Sequence, residues 1–361
     1  MVNEFTALDG TTFQTALDTP QNEASDTDRV HAFILSRLPN DDQALASAAS
    51  FHFERPGKML RAKMAMRGAA VLGVNQQAAM RWAAAVEVLH NASLVHDDIC
   101  DNDKQRRGRD SIWAKYGQNL ALTLGDWLIA LSFELAAEAA HLSHTPRLVS
   151  ILANHMAVTT AGEAMEFEWN GSDSWDVYLT IAADKTAPLL TAPIQGIAAM
   201  TGDPTAEDTI TRYFRDLGKA YQIANDIRNF TGLDGAKSIA GDLARRTPNA
   251  VTLSYIEQLD SAPRAAFLDW YNSPDTKDFG KWLEAIQNSG AIEKASIQML
   301  QTLRGAGSRA KSLPPGLSSV IKPVYALIER FCESSYQNAP SGQSFYSIMA
   351  NRTHRVQGAA K

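Results

Sequence analysis

The chain has 361 residues, of which 45% are hydrophobic and 20% charged, and its formal net charge is -6. This length and hydrophobic content suffice for one large core or two ordinary ones. The mildly acidic balance argues against a nucleic-acid partner, because phosphate backbones select basic faces. Two cysteines, Cys100 and Cys332, are too few for a disulfide scaffold or a thiolate metal site, which favours a reducing cytoplasmic environment.

Residues 1–27 are polar, lack an apolar period and are predicted to form a mobile N-terminal arm. No Lys or Arg precedes Arg29, so neither a secretory nor an organellar signal is expected. From residue 28 to residue 361, apolar residues recur at spacings of three and four, and Pro and Gly clusters punctuate the pattern. The sequence therefore predicts an all-α fold, a single domain of roughly ten helices.

Two segments of this helical region stand out. The most apolar stretch, residues 119–137, contains Asp126 and Glu134, and two carboxylates disfavour a membrane span. We therefore expect a core helix there. Residues 232–249 form the longest loop-like segment inside the helical region, and loops of such length in compact domains are usually functional.

An acidic motif ends one strong helical pattern. Asp97 and Asp101 are four residues apart, so they project from one face of a helix and repel each other unless a cation intervenes. Mg²⁺ prefers a few carboxylates together with waters and substrate phosphates. Asp98 is rotated by about 100° from that face and is not expected to bind the metal directly. Arg106 and Arg107 follow, a guanidinium pair suited to phosphate oxygens. Taken alone, such a motif is also compatible with a solvated acidic helix end.

With its flanking motifs, this segment resembles the first aspartate-rich motif of the trans-isoprenyl diphosphate synthases. The matches follow the order of that family over about residues 55–250. They are residues 57–61 (GKMLR), His90, 97–101 (DDICD), 106–108 (RRG), 124–126 (LGD), 185–186 (KT), 221–223 (YQI), Lys237 and 241–243 (GDL).

The resemblance implies a helical bundle around a central cavity, the isoprenoid synthase fold, assembled as a homodimer. It implies an enzyme that condenses an allylic diphosphate with isopentenyl diphosphate to give a longer trans-polyprenyl diphosphate. Ionisation of the allylic C–O bond needs the departing pyrophosphate to be neutralised by metal ions and cationic side chains. Three Mg²⁺ ions are therefore expected.

The resemblance also implies residue roles. Asp97 and Asp101 would hold two Mg²⁺ ions. The catalytic residues that would contact the allylic diphosphate or the carbocation are Arg106, Lys185, Thr186, Gln222 and Lys237. The isopentenyl diphosphate ligands would be Lys58, Arg61, His90 and Arg107. Taken alone, these residues are also compatible with purely structural roles. Lys58 could lie at a solvated helix start, and His90 could be a core histidine.

The second acidic motif departs from the family pattern DDxxD. Asn225, Asp226 and Asn229 share a helical face with Gln222 and are expected to hold the third Mg²⁺. Amide oxygens coordinate hard cations but supply no countercharge, so a weakened third site is predicted. In one register, Arg246 replaces a phosphate-facing lysine of the family.

Three functions remain open at this point. The preferred one is a chain-elongating synthase with an atypical metal site. The second is a terpene cyclase-like enzyme. Such enzymes usually have Ser or Thr and then Glu as the remaining metal ligands of this motif, but the corresponding positions here are Asn229 and Leu233. A non-catalytic regulatory partner of a synthase is the third. The complete first motif argues against the regulatory partner, and the four predicted isopentenyl diphosphate ligands argue against the cyclase.

Product length depends on the tunnel floor. In the family that the chain resembles, residues one turn before the first motif form this floor, and here they are the small Ala92 and Ser93. Burial of each CH₂ contributes about 0.8 kcal/mol, so an open tunnel favours a tail of C20 or longer. A bulky residue on a facing helix is the alternative floor.

Overall fold

The computed structural model describes residues 25–40, 43–202, 206–233, 239–274 and 276–336. These ranges contain fifteen helices, ten of them at least ten residues long, and one short hairpin, so the predicted all-α fold is confirmed. The helices are α1 Asp26–Leu35, α2 Ala46–Phe53, α3 Leu60–Leu72, α4 Gln76–Cys100, α5 Ile112–Tyr116, α6 Gln118–Ser143, α7 Arg147–Phe167, α8 Trp175–Met200, α9 Glu207–Thr231, α10 Gly241–Arg245, α11 Ala250–Ile256, α12 Ser261–Tyr271, α13 Phe279–Gln287, α14 Ala291–Ala310 and α15 Pro315–Tyr336. Strands β1 Gln105–Arg106 and β2 Arg109–Asp110 pair antiparallel.

The first helix begins inside the segment that the sequence assigned to the N-terminal arm. Ser25 is its N-cap, since the Asp28 backbone N–H donates to Ser25 Oγ at 3.3 Å and the Ser25 N–H donates to Asp28 Oδ2 at 3.2 Å. This reciprocal capping box starts α1 at Asp26, two residues before the predicted boundary. The remainder of the arm lies outside the described residues.

Two compact units divide the chain. The first contains the residues up to Val158, Pro188–Thr211 and Leu313–Pro323. The second contains Thr159–Ala187, Arg212–Ser312 and the residues from Val324 onward. Four of the five boundaries fall within helices rather than in linkers, as in a single helical domain.

Packing of α4 against α6 forms the centre of the first unit. Of the 25 residues of α4, 17 are buried, so this helix is enclosed on almost every face. Gly125 of α6 permits close approach, because a Cβ built there would lie 2.0 Å from Nε2 of His96. Asn75 fixes the start of α4 by accepting from the N–H groups of Gln77 and Ala78.

Helix α6 is long and apolar enough to cross a membrane by length and composition, with a mean hydropathy of 1.5 over its most apolar window. The core helix of a globular protein passes the same test. Its packing on α4 agrees with the predicted core helix, but its burial is incomplete, since Leu122 is 51% exposed. One face of α6 is therefore in the core and another reaches the surface.

A proline inside α8 alters the hydrogen bonds of that helix. Pro193 has no N–H, so the carbonyl of Leu189, four residues earlier, cannot receive its usual helical bond. Arg61 Nε donates to this carbonyl at 3.1 Å instead. The buried Trp82 indole donates at 3.2 Å to the carbonyl of Pro193 itself. The missing helical bond thus provides an acceptor for Arg61 of α3, and the Pro193 carbonyl is a second acceptor, for the Trp82 indole of α4.

The second unit contains an aromatic cluster. Phe267 contacts four neighbouring rings, with centroid separations between 5.1 and 5.7 Å. These rings belong to Tyr255, Trp270, Tyr271 and Trp282. Most of these contacts are edge-to-face or tilted, the arrangement that the ring quadrupole favours, and they join α11, α12 and α13.

Replacing Gly196 by alanine should destabilise the protein. A Cβ at this position of α8 would lie 2.0 Å from the Trp82 ring, and such overpacking costs about 1–3 kcal/mol. The measurement is the free energy of unfolding in urea. Gly280→Ala is the matched control, because no heavy atom of the described residues lies within 4 Å of its Cβ, and it should be neutral or stabilising by up to about 1 kcal/mol. Equal effects of the two changes would contradict the packing argument.

Candidate active site

The C-terminal end of α4 carries the first acidic motif. The Asp101 N–H donates to the Asp97 carbonyl at 2.8 Å, so the two residues are one helical turn apart. Asp97 is buried and Asp101 half-buried. The C-terminal end of a helix is the negative end of its dipole, which makes two further carboxylates unfavourable without a cation.

The donor set of this motif fits Mg²⁺. Within the described ranges, no group of three or more His, Cys, Asp or Glu side chains could hold a metal without other ligands. Two carboxylates are nevertheless what Mg²⁺ takes from a protein when waters and substrate phosphates complete its shell. Asp97 and Asp101 could therefore hold the ion together with a bound diphosphate.

Asp98 has a different function from its two neighbours. It is buried, and Arg106 Nε donates to both of its carboxylate oxygens, at 2.8 and 2.9 Å, while Nη2 lies 2.7 Å from Oδ1. The bidentate pair ties the β1–β2 hairpin to the end of α4. The sequence predicted Asp98 off the metal face, and the structure places it on Arg106. For Arg106 to contact the diphosphate as predicted, its guanidinium must bind Asp98 and the diphosphate at the same time.

A cavity opens beside this ion pair. Its lining contains three arginines, and the full set of lining residues is Phe51, His52, Asp98, Arg106, Arg107, Arg109, Asp110, Ser111 and Ile112. His52 was not found from the sequence. Its ring Nε2 donates to Asn91 Oδ1 at 2.9 Å, and burial followed by the charges of the three arginines lowers its pKa to about 3. His52 is therefore a neutral polar group in a cationic cavity.

Three of the four predicted isopentenyl diphosphate ligands lie close together. Arg61 and His90 are buried, and burial followed by the charges of Arg61 and Arg107 lowers the pKa of His90 well below its ordinary value. Arg107 Nη1 donates at 2.5 Å to the carbonyl of Arg55. The fourth ligand, Lys58, follows Gly57, where an added Cβ would lie 3.0 Å from the Arg107 guanidinium.

A buried carboxylate supports this cationic cluster. Glu87 of α4 accepts from the Ala62 N–H at 3.0 Å, near the start of α3. Burial raises the pKa of Glu87, although Arg61 opposes the shift. Glu87 was not singled out from the sequence, because its role depends on the packing of α3 on α4.

In the second unit, Lys185 is clamped by two carboxylates of α7. Its Nζ lies 2.8 Å from Glu163 Oε2 and also contacts Glu166. Burial lowers the pKa of Lys185, but the two glutamates outweigh it and raise the pKa above its ordinary value, so the ammonium is fully charged. Gly162 makes the approach possible, since a Cβ there would lie 2.9 Å from the Lys185 backbone nitrogen. Thr186 is buried beside it. Sequence reasoning missed the glutamates, which stand three residues apart on α7.

The residues of the second acidic motif take part in hydrogen bonds within the second unit. Asp226 is fully buried, and its Oδ2 accepts from Tyr178 Oη at 2.6 Å and from the Ala250 N–H at 2.7 Å. Gln222 Nε2 donates to Oδ1 at 2.9 Å. Burial, and then the charge of Asp242, raises the pKa of Asp226. Gln222 and Asp226 share a helical face, as predicted. On that face Gln222 donates a hydrogen bond to Asp226, and Asp226 also accepts hydrogen bonds from Tyr178 and the Ala250 N–H.

The other predicted residues of this region also have defined surroundings. Asn229 is buried and its Oδ1 accepts from the Asp242 N–H at 3.2 Å. The Nδ2 atom of Asn225 is buried and has no hydrogen-bond partner among the described residues. The Arg246 guanidinium lies 3.7 Å from the centroid of the Trp270 ring, a cation–π contact. Lys237 lies outside the described residues.

Known proteins resemble this chain along most of its length. The family model described as Polyprenyl synthetase matches residues 42–288. An octaprenyl diphosphate synthase from Haemophilus influenzae is 28% identical over 336 residues, covering 90% of this chain and 94% of that enzyme. A decaprenyl diphosphate synthase from Rhodobacter capsulatus matches with a TM-score of 0.76 at 24% identity, covering 89% of this chain and 99% of that one.

A polyprenyl synthase from Caulobacter crescentus, solved in complex with calcium and isoprenyl diphosphate, has a TM-score of 0.72 at 25% identity and covers 84% of this chain and 94% of that chain. The matched region contains both acidic motifs and the helices that carry them. These findings confirm the predicted isoprenoid synthase fold and the resemblance from which it was inferred. The chain belongs to the polyprenyl synthetase family and is a chain-elongating trans-prenyltransferase.

Proposed function

We propose that this enzyme condenses an allylic diphosphate with isopentenyl diphosphate in a Mg²⁺-dependent reaction, and that Asp97 and Asp101 hold the metal. The observation that carries the proposal is the pair of carboxylates at the negative end of α4, tied through Asp98 to the arginine hairpin. Bound Mg²⁺ supplies positive charge that neutralises the departing pyrophosphate. The complex of the Caulobacter crescentus relative with calcium and isoprenyl diphosphate supports a cation-assisted diphosphate site.

The cationic cluster of the first unit is proposed to bind isopentenyl diphosphate. Arg61 and Arg107 supply guanidinium groups, whose planar donors match phosphate oxygens, and Lys58 adds a third positive charge. His90 is neutral at physiological pH, because its pKa is lowered, and it serves as a hydrogen-bond donor rather than a charge. Its Nδ1 is buried without a hydrogen-bond partner among the described residues, which a ligand would complete.

The second unit is proposed to act on the allylic substrate. Lys185 is held as an ammonium by Glu163 and Glu166, ready to contact a diphosphate oxygen. Gln222 uses its Nε2 on Asp226, which orients the amide so that its oxygen end, the negative pole, can stabilise a carbocation together with Thr186. Lys237 is proposed as a further diphosphate contact on the strength of its motif alone.

Product length is proposed to be C20 or longer. Ala92 is fully buried in helix packing, whereas Ser93 is half-buried, so Ser93 is the small residue that could line a tunnel. The preceding turns of α4 present Leu89 and Val86 rather than a ring. The two relatives named above as octaprenyl and decaprenyl synthases make products beyond this length, which agrees with the proposal.

The assembly is proposed to be a cytoplasmic homodimer. Helix α6 supports this, because its Leu122 is exposed although the helix is the most apolar of the chain by sequence. A second copy covering that face would remove the apolar surface from water. The cyclase-like and regulatory alternatives have no specific structural observation in their favour among the described residues.

Asp97→Asn and Asp101→Asn should each lower kcat by about 100-fold or more, because the loss of a carboxylate removes metal-bound positive charge from the departing diphosphate. Product formation from geranylgeranyl and isopentenyl diphosphates at saturating Mg²⁺ is the measurement, with circular dichroism to verify the helical fold. Asp269→Asn, an exposed acid on α12, is the control and should retain normal turnover. Near-normal rates in either motif variant would rule out the metal assignment.

Ser93→Phe should shorten the product by about one isoprene unit or more, because a ring on this face of α4 occupies space that the tail would fill. Chromatography of dephosphorylated products gives the chain length. Met80→Phe, on another face of the same helix, is the control and should leave the product unchanged. A parent enzyme that stops at C15 or shorter, or an unchanged product from Ser93→Phe, would contradict the proposal.

Buried His52 should make the protein acid-sensitive. Its pKa is about 3 when folded against 6.5 as its ordinary value, so between these pH values the unfolded chain binds the additional proton. Stability therefore falls as pH falls through this window, by about 2 kcal/mol for this group at about pH 5. His52→Gln keeps a donor for Asn91 and should lose that part of the pH dependence.

The measurement is the free energy of unfolding in urea at about pH 7.5 and about pH 5, compared between the wild type and the variant. His141→Gln, a change at an exposed histidine, is the control and should keep the wild-type difference. The same loss of stability on acidification in His52→Gln as in the wild type would show that His52 does not titrate on unfolding.

A further inference from the structure

The Asp226 carboxylate joins three elements of the second unit. It receives Tyr178 Oη from α8, Gln222 Nε2 from its own helix α9, and the Ala250 N–H from the first turn of α11. Both carboxylate oxygens are therefore engaged by the protein, and the side chain is 0% exposed. Three of the roughly four lone-pair positions of the carboxylate are thus filled. Because the side chain has no exposed surface, a hydrated metal ion could reach the remaining position only by displacing a donor, which costs about 1–3 kcal/mol.

The oxygen of Asn229 is also used. Its Oδ1 accepts from the Asp242 N–H, and its backbone carbonyl accepts from Ala240 N at 2.8 Å. Asp242 in turn accepts from Asn249 Nδ2 at 3.0 Å and from Arg245 Nη2 at 2.7 Å. These contacts extend the bonds around Asp226 into one network, which fastens α10 and the start of α11 to α9.

Asn225 is the third residue of the motif that was predicted to hold the ion. Its side chain is a neutral amide, whereas Mg²⁺ binding by proteins relies on carboxylates for countercharge. Its Nδ2, a donor, is the atom that is buried without a partner among the described residues. The three residues predicted to hold the third ion therefore do not fit a magnesium site.

We propose that the second acidic motif of this enzyme binds no metal ion, and that Asp226 is the centre of a hydrogen-bond node that fixes α11 and α10 to α9. The metal ions of the reaction are then held by the first motif alone. The assignment of the metal ions to the first motif rests on the proposed function, whereas the hydrogen-bond node around Asp226 does not. The two parts can therefore fail separately.

Counting bound metal tests the proposal without disturbing the node. Mn²⁺ serves as a paramagnetic substitute for Mg²⁺, and bound ions per chain are measured by electron paramagnetic resonance with and without inorganic pyrophosphate. The double variant Asp97→Asn Asp101→Asn leaves the second motif intact and should bind no Mn²⁺ beyond that of free pyrophosphate. One ion retained per chain by this variant would overturn the proposal. A wild type that binds no Mn²⁺ would contradict the proposed function and leave the node standing.

Thermal unfolding in EDTA separates a node from a metal ligand. Asp226→Asn and Tyr178→Phe should each lower Tm in metal-free buffer, Asp226→Asn by about 5 °C or more. Asp226→Asn takes an acceptor from buried donors, and Tyr178→Phe takes a donor from the buried carboxylate. Asp97→Asn is the control, and its Tm in EDTA should be unchanged or higher. A metal ligand at Asp226 would give the opposite result, with no change in EDTA and a loss only with Mn²⁺ and pyrophosphate, and that result would overturn the proposal.

Discussion

The unfavourable position of two carboxylates at the negative end of a buried helix is the constraint around which the first unit is organised. Helix α4 is enclosed on nearly all sides, and its C-terminal end places the charges of Asp97 and Asp101 at the negative pole of the helix dipole. The protein neutralises a third carboxylate, Asp98, with a bidentate arginine. We propose that Asp97 and Asp101 bind a cation, so that the repulsion between their charges contributes to affinity for a metal–diphosphate complex.

Much of the architecture and of the first motif followed from sequence because both depend on local spacing. Helical periodicity predicted the all-α fold, and the four-residue interval between Asp97 and Asp101 placed them on one helical face. The start of α1 was missed by two residues, since a capping box at Ser25 and Asp28 overrides the polar composition of the segment. That signal was present in the sequence and could have been used.

The second motif shows what spacing cannot supply. The common helical face of its residues was predicted, but a shared face does not reveal which tertiary donors reach it. Tyr178 lies 48 residues before Asp226 and Ala250 lies 24 residues after it, and both become partners only when the unit folds. The same holds for Glu163 beside Lys185. Ion pairs between helices depend on how the helices pack. A single sequence shows the acidic and basic residues but not which of them pair.

Pro193 in α8 makes the substitutions tolerated at position 193 depend on the residue at position 61. An interior proline normally costs a helix about 3 kcal/mol, and here part of that loss is offset because the Leu189 carbonyl, which lacks its helical N–H partner, accepts a hydrogen bond from Arg61 Nε. The bond holds the plane of the guanidinium in one orientation. Lysine at position 61 would preserve charge, but its donors share a single nitrogen and would not reproduce the planar geometry of the guanidinium at the carbonyl. Positions 61 and 193, which are far apart in sequence, are therefore expected to change together during divergence of the family, as a covarying pair maintained by one backbone acceptor.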